Sequence, residues 1–263
     1  MIPTSPLVVA FDLDDTLAPS KSPIPPRIGD LLIRLAHRVE VAIISGGQIE
    51  QFRTQVVALL PDEPAALAHV HLMPTCGTRY ERYDGAGFTT VYAHELSDDE
   101  KSAALAAVER EARLLGLWET RPWGDILEDR GAQITFSALG QLAPVDAKRA
   151  WDPDGSRKSA LRAAVATALP DLEVRSGGST SVDITRKGID KAYGMRRLSE
   201  QTGIALGDML FFGDRLDPEG NDRPVLEMGE VACVAVTGWE DTADRLDALL
   251  ETLPERERVA SRG

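Results

Sequence analysis

Three aspartates close the stretch "VVAFDLDDT" (8–16): Asp12, Asp14 and Asp15 stand within four residues, directly after an apolar run. Crowded carboxylates repel one another, so such a cluster is either a solvated turn or a place where something positive belongs. A carboxylate can attack phosphorus and form an acyl phosphate, dividing one difficult displacement into two easier ones. A second carboxyl group two residues along can protonate the leaving oxygen and later deprotonate the acceptor. Mg2+ held by carboxylates would neutralise both the nucleophile and the phosphate. A lysine and a hydroxyl would hold the remaining phosphate oxygens. The chain offers each part: Asp12, Asp14, Ser45 in "IISGG", Lys191 in "GIDKAYG", and Asp214, Asn221 and Asp222 in "FFGDRLDPEGND".

Each of these is weak alone. A chain with 42 acidic residues has many Asp-x-Asp pairs, and a Ser-Gly-Gly is an ordinary strand-to-helix turn. Their placement carries the signal. "LVVAF" (7–11), "VAII" (41–44), "HVHLM" (69–73) and "DMLFFGD" (208–214) read as buried strands. Helical periodicity separates them over 28–38, 48–60 and 190–203, which predicts a parallel sheet with right-handed crossovers. In such sheets, sites form at the carboxyl ends of the strands, where these residues fall. The middle differs. An Asp-Gly hairpin, a helix over 97–116 capped by Ser97, then paired strands around a helix at 156–169 predict an α+β module. The fold class is therefore α/β, a Rossmann-like parallel-sheet core (1–86 and 188–263) with an α+β domain inserted at 87–187. A closing helix precedes a charged, disordered tail, "PERERVASRG".

Composition narrows the partners. The chain has 263 residues and a formal charge of −13, which disfavours nucleic acid and anionic membranes. An anionic substrate then demands a locally positive site. No apolar run is long enough to span a bilayer, the first residues lack signal-peptide character, and Cys76 and Cys233 read as free thiols, so a cytoplasmic location is expected. His69 and His71 share a strand face as metal ligands would, but no third ligand is evident. The tryptophans of the inserted module, Trp118, Trp123 and Trp151, are expected to pack within it or stack on a sugar.

The combination of a DxDxT strand end, a Ser, a Lys and a late acidic strand end resembles the haloacid dehalogenase superfamily. The inserted module resembles its larger, C2-type cap. Within the superfamily, "FDLDDTL", "EDRGAQITFSALGQ", "GGSTSVDITRKGIDKAYG" and "FFGDRLDPEGND" are most similar to eukaryotic-type phosphomannomutases. The resemblance implies Asp12 as nucleophile and Asp14 as acid/base, with Mg2+ on Asp12, the Asp14 backbone carbonyl and Asp214, supported by Asn221 and Asp222. It also implies that Arg130, Ser181 and Asp183 hold the distal phosphate and sugar on one face of the cap, with Gly178 allowing close backbone approach and a homodimer through the cap. There are departures. Gln141 stands where the mutases have a phosphate-clamping arginine, Lys148 where another arginine is usual, Ser45 where glycine is frequent, and Asp15 replaces a glycine. These favour a Mg2+-dependent phosphatase of a phosphorylated sugar as the first expectation. A phosphomannomutase is the second and a non-catalytic phosphosugar sensor the third, the last being disfavoured by retention of both Asp12 and Asp14.

Overall fold

The structure, a computed structural model, describes residues 5–255. The expected tail lies, from residue 256 on, outside the described residues. The chain divides into two compact units, one comprising the chain up to Ala93 and again from Asp190, the other His94–Ile189.

In the first unit, β1 (Val8–Phe11), β2 (Glu40–Ile44), β3 (Val70–Met73), β4 (Arg79–Tyr83), β5 (Phe88–Ala93), β10 (Met209–Gly213) and β11 (Ala232–Ala235) form one sheet in the order β11-β10-β1-β2-β3-β4-β5. The pairings from β11 to β3 are parallel, and β4 and β5 are antiparallel. Strand alternation divides the core between two faces. Val9, Phe11, Val41 and Ile43 point into one apolar cluster; Val8, Ala10, Ala42 and Ile44 point into another. The first is covered by α1 (Pro26–Ala36), α2 (Ile49–Gln55) and the closing helix, the second by the helix that begins at Lys191. The helix expected over 48–60 breaks at Val56 (φ −119°) and continues as one 3-10 turn.

The strand β5 was expected in the inserted module. It instead pairs with β4 from Tyr83–Phe88 to Arg79–Ala93 and forms an edge of the large sheet. A hairpin turn keeps its two strands together, and Asp84 closes this one by accepting from the backbone N–H groups of Ala86 and Gly87. The point where the chain leaves the sheet is therefore after β5, not inside the hairpin.

The second unit holds α3 (Asp98–Leu114), β6 (Leu127–Asp129), β7 (Gln133–Ser137), α4 (Val145–Trp151), α5 (Ser156–Ala168), β8 (Leu172–Ser176) and β9 (Ser181–Arg186). Its strands form an antiparallel sheet in the order β6-β7-β9-β8. Ser97 and Glu100 form the reciprocal capping box at the start of α3. One sheet face carries Ile134, Phe136, Val182 and Ile184 and buries them under α3 and α5. Trp118 tilts against Phe136, and both Trp118 and Trp151 pack on this core, whereas Trp123 is exposed. The chain then returns through α6 (Lys191–Thr202), β10 and β11 to α7 (Trp239–Thr252).

Directly after β3, Thr75, Cys76 and Gly77 are all left-handed (φ 46°, 55° and 84°). A β-branched residue with positive φ is an outlier that its surroundings must impose. Here Thr75 N–H donates to the Gly47 carbonyl and Cys76 N–H to that of Ser45, both at 2.9 Å. The strained segment thus fixes the loop at the end of β2. It also lies against α6 so closely that a Cβ on Gly77 would stand 2.7 Å from the Gly194 Cα. Gly77→Ala is expected to cost about 2–4 kcal/mol of stability in denaturant unfolding, combining left-handed strain with overpacking. A loss below about 0.5 kcal/mol, the level of an ordinary surface substitution, would show that this contact does not set the packing.

Candidate active site

Register brings the functional strand ends level. Phe11 stands beside Phe212 on one side and Ile43 on the other, so Asp12, the next residue, leaves the sheet between β10 and β2. Its backbone N–H still donates to the Phe212 carbonyl at 2.9 Å, which anchors it as though the strand continued. Its side chain is 3% exposed, so the carboxylate is withdrawn from water. The compensating charge comes from α6. Lys191, also buried, places Nζ 2.7 Å from Asp12 Oδ1 and 2.5 Å from Asp222 Oδ1. Asp222 engages its second oxygen as well, accepting from the Arg215 N–H at 3.0 Å. It therefore ties the loop after β10 to the lysine.

Burial pushes the Asp12 carboxyl up to about 7; Lys191 works against this shift and Asp222 adds to it. Burial alone would push Lys191 down, but Asp12 and Asp222 outweigh it and hold the ammonium protonated above its ordinary range. Asp214 is also raised, by its burial and then by Asp222. The Thr16 hydroxyl donates to Asp214 at 3.4 Å. The carboxylates of Asp12, Asp214 and Asp222 offer oxygens within 4.8 Å of one another. Three hard oxygen donors around one point suit Mg2+ rather than a thiolate- or imidazole-seeking metal. Asp12 and Asp214 could hold such an ion, with Asp222, both of whose oxygens already accept hydrogen bonds, in support. Asn221 is exposed on the same loop, and no hydrogen bond among the described residues ties it to this cluster.

Asp14 stands apart from that cluster. Its carboxylate accepts from the Lys21 N–H at 2.6 Å and from Gln51 Nε2 at 3.0 Å. Asp15 is left-handed (φ 60°), and its carboxylate accepts from the Ser20 N–H at 3.0 Å. A glycine-permissive position thus carries one of the few other residues that tolerate it. The Ser45 hydroxyl is buried at the end of β2 and accepts from the Gly47 N–H at 3.2 Å, which leaves its proton for another acceptor.

In the second unit, the sheet face opposite the apolar core is polar. Gln133, Thr135 and Ser137 on β7 alternate with Ile134 and Phe136; Ser181, Asp183 and Thr185 on β9 alternate with Val182 and Ile184. Thr135 lies opposite Glu128 on one side and Asp183 on the other, and its hydroxyl donates to Asp183 at 2.8 Å. Gln133 in turn donates to Thr135 at 2.8 Å, and Ser137 and Ser181 are 3.5 Å apart. Arg130 forks onto one oxygen of Glu128, Nε at 2.8 Å and the terminal nitrogen at 2.7 Å. Gln141 donates to the same oxygen, and Lys148 Nζ donates to the Gln141 carbonyl at 3.1 Å. Burial raises the Asp183 carboxyl, with Arg130 pulling the other way. Arg130, Ser181 and Asp183 therefore share one polar face, and Lys148 reaches its edge through Gln141. A Cβ on Gly177 would meet Asp183 Oδ2 at 2.6 Å, while Gly178 faces open space and offers its carbonyl to Lys158.

Three participants were missed. Glu128 and Thr135 were legible as a period-two polar face, since polar residues alternate with the apolar ones on adjacent strands. Gln51 had no such signal. His69 and His71 do have a common partner, but it is Glu40, at 3.0 and 2.9 Å, and Tyr80 takes the other His71 nitrogen at 2.7 Å. Every one of these contacts is a hydrogen bond within the sheet.

The sequence profile of the family described as eukaryotic phosphomannomutase matches residues 122–252. The phosphomannomutase of Encephalitozoon cuniculi (strain GB-M1) is 22% identical over 252 residues, covering 94% of each chain. Among solved structures, an N-terminally truncated, IMP-bound IMP-nucleotidase of Plasmodium falciparum superposes with a TM-score of 0.69 at 12% identity, over 95% of this chain and 69% of that one. A haloacid dehalogenase-like hydrolase from Bacteroides thetaiotaomicron does so with a TM-score of 0.63 at 15% identity, over 92% and 98%. At such identities the two structures speak for the fold alone.

The electrostatics make a prediction that needs no substrate. A carboxyl raised from 3.8 to about 7 on folding favours the folded chain most below its unfolded value, and that contribution is lost as pH rises through 7. In chelator, Asp12→Asn should therefore raise the Tm little at about pH 5 and clearly at about pH 8. Mg2+ should then raise the Tm of the wild type more than that of the variant. A gain that is equal at both pH values would contradict the assignment of Asp12 as the destabilised buried charge.

Proposed function

We propose that the chain, which is similar to eukaryotic phosphomannomutases over nearly its whole length and shares its fold with a haloacid dehalogenase-like hydrolase, interconverts mannose 1-phosphate and mannose 6-phosphate through an aspartyl phosphate on Asp12. The observation that supports phosphoryl transfer through Asp12 is the buried lysine shared by two carboxylates at a strand end, with Asp214 beside them. Relatives named as phosphomannomutases, similar over nearly the whole chain, favour the mutase over the hydrolase expected first from the sequence.

An Asp12 oxygen attacks phosphorus as the bond to the sugar oxygen breaks, and Asp14 supplies the proton to that oxygen. In the second half, Asp14 takes the proton of an acceptor hydroxyl, whose oxygen attacks the phosphorus and releases Asp12. Bound Mg2+, on Asp12 and Asp214, would supply charge neutralisation for the carboxylates and the phosphate. Lys191 favours the ionised form of Asp12 against its burial and holds one of its oxygens at 2.7 Å. Ser45 has a proton to donate to a phosphate oxygen. Arg130, Ser181, Asp183 and Lys148 serve the sugar and its second phosphate.

A second reading, hydrolysis of the sugar phosphate by water, keeps support from one observation. Gln141 is neutral, and the Arg130 guanidinium is already paired with Glu128, so the polar face of the second unit holds little net positive charge for a second phosphate.

The two readings separate by phosphorus NMR of mannose 1-phosphate incubated with protein, Mg2+ and a trace of hexose bisphosphate. Mannose 6-phosphate is the expected product; free phosphate alone would replace the mutase by the hydrolase, and neither product would point to a sensor. Asp12→Asn should lower turnover by about 10^4-fold or more. Gln141→Arg should raise the ratio of isomerised to hydrolysed product, since it adds a planar cation to the face that would hold the second phosphate. An unchanged ratio would remove Gln141 as the source of any hydrolytic leakage.

A further inference from the structure

We propose that Gln51, on α2, is a positioning residue that orients the carboxyl group of Asp14 for proton transfer, a role resting on the acid–base assignment of Asp14 made above. The amide nitrogen of Gln51 carries two hydrogens, and both are directed. One goes to Asp14 Oδ2 at 3.0 Å and the other to Gln55 Oε1 at 2.8 Å. Gln55 is one helical turn further along α2 and is buried, and its main chain is fixed where its backbone carbonyl accepts from the Ile24 N–H at 2.9 Å. The bond to Asp14 is thus the outer end of a chain anchored in the interior. The amide of Gln51 also fills the space over Gly47: a Cβ there would stand 2.3 Å from Gln51 Oε1. With Gly47 bare, the side chain can lie across the loop, and rotation of the amide away from Asp14 also breaks the Gln55 bond.

The other Asp14 oxygen is fixed by a backbone donor, the Lys21 N–H at 2.6 Å. Two donors from two different segments define the plane of the carboxyl group. One of them is a side chain and can be removed without disturbing the main chain. In the first half-reaction the Asp12 oxygen–phosphorus bond forms, the bond from phosphorus to the leaving oxygen breaks, and that oxygen takes its proton from Asp14. A carboxyl free to rotate would be misaligned for that transfer but would not affect the attack by Asp12.

Leaving-group dependence separates this role from a structural one. In single turnovers with enzyme in excess, phosphoenzyme formation is followed with two donors. A hexose bisphosphate must leave as an alcohol and needs the proton. p-Nitrophenyl phosphate leaves as a stable anion and does not. Gln51→Leu should slow the first about tenfold or more while changing the second less than about threefold, with the concentration dependence of the rate unchanged for both. In an Asp14→Asn background, Gln51→Leu should add nothing, because both act on one proton. Equal slowing with both donors, or losses that multiply in the double variant, would overturn the role of Gln51. If Asp14→Asn alone shows no leaving-group dependence, the acid–base reading falls and the role of Gln51 with it. Dependence in Asp14→Asn but not in Gln51→Leu overturns the role of Gln51 and leaves Asp14 intact.

Discussion

A single ammonium group buried between two carboxylates governs the first unit. Lys191 meets Asp12 at 2.7 Å and Asp222 at 2.5 Å with almost no water. Burying charges is costly, and the attraction between them compensates only when geometry and remaining hydrogen bonds are well satisfied. The fold meets that condition. Three segments converge on the lysine: β1 delivers Asp12, the loop after β10 delivers Asp222, and α6 delivers the lysine at its first residue. Helix α6 opens with Asp190 capping the Tyr193 N–H, which fixes its first turn and so the root of the lysine. One positive charge among Asp12, Asp214 and Asp222 still leaves the cluster negative. That excess is what a divalent cation would remove; burial first, and then Asp222, raises the Asp12 carboxyl.

The parts of this arrangement that were legible in the sequence are those written in period-two and period-3.6 hydrophobicity. Apolar runs located β1, β2, β3 and β10, and residues at their carboxyl ends gave Asp12, Ser45 and Asp214. What escaped was set by contacts between segments. Whether β5 belonged to the large sheet depended on its hairpin partner β4 pairing with β3, which no local pattern encodes. Gln51 lies in a polar helical turn that reads as a solvated face, and its role depends on Asp14, 37 residues away. Helix α4, seven residues with none buried, had no apolar stripe to betray it. The left-handed Thr75-Cys76 step ran against the preference of both residues, since it is imposed by the carbonyls of Ser45 and Gly47.

Asp15 shows how a substitution can look functional and be geometric. As one of three aspartates it made the first stretch conspicuous, yet its backbone is left-handed and its carboxylate closes a local turn onto Ser20. The two carboxylates on either side of Leu13 also differ. Asp12 is buried and opposed by a lysine, whereas Asp14 is partly exposed and held by neutral donors. On the proposed roles, Lys191 and a bound cation would favour the ionised nucleophile against its burial, while Asp14, partly open to water, can exchange its proton.

On the proposed function, the choice between a mutase and a hydrolase is a choice of what accepts the phosphoryl group from Asp12. Water and a sugar hydroxyl are chemically similar acceptors, so nothing in the Asp12–Lys191 cluster discriminates between them. Selection must come from binding energy that holds a bisphosphorylated sugar long enough to reorient. In a chain of net charge −13, long-range attraction cannot supply it. Only placed cations can, and on the polar face Arg130 is offset by Glu128 while Gln141 adds none. A phosphate arriving there competes with Glu128 for the same guanidinium. On the proposed function, retention of the second phosphate would therefore depend on the balance of Glu128, Arg130 and Lys148, and a change of one charge among them would shift the acceptor between sugar and water.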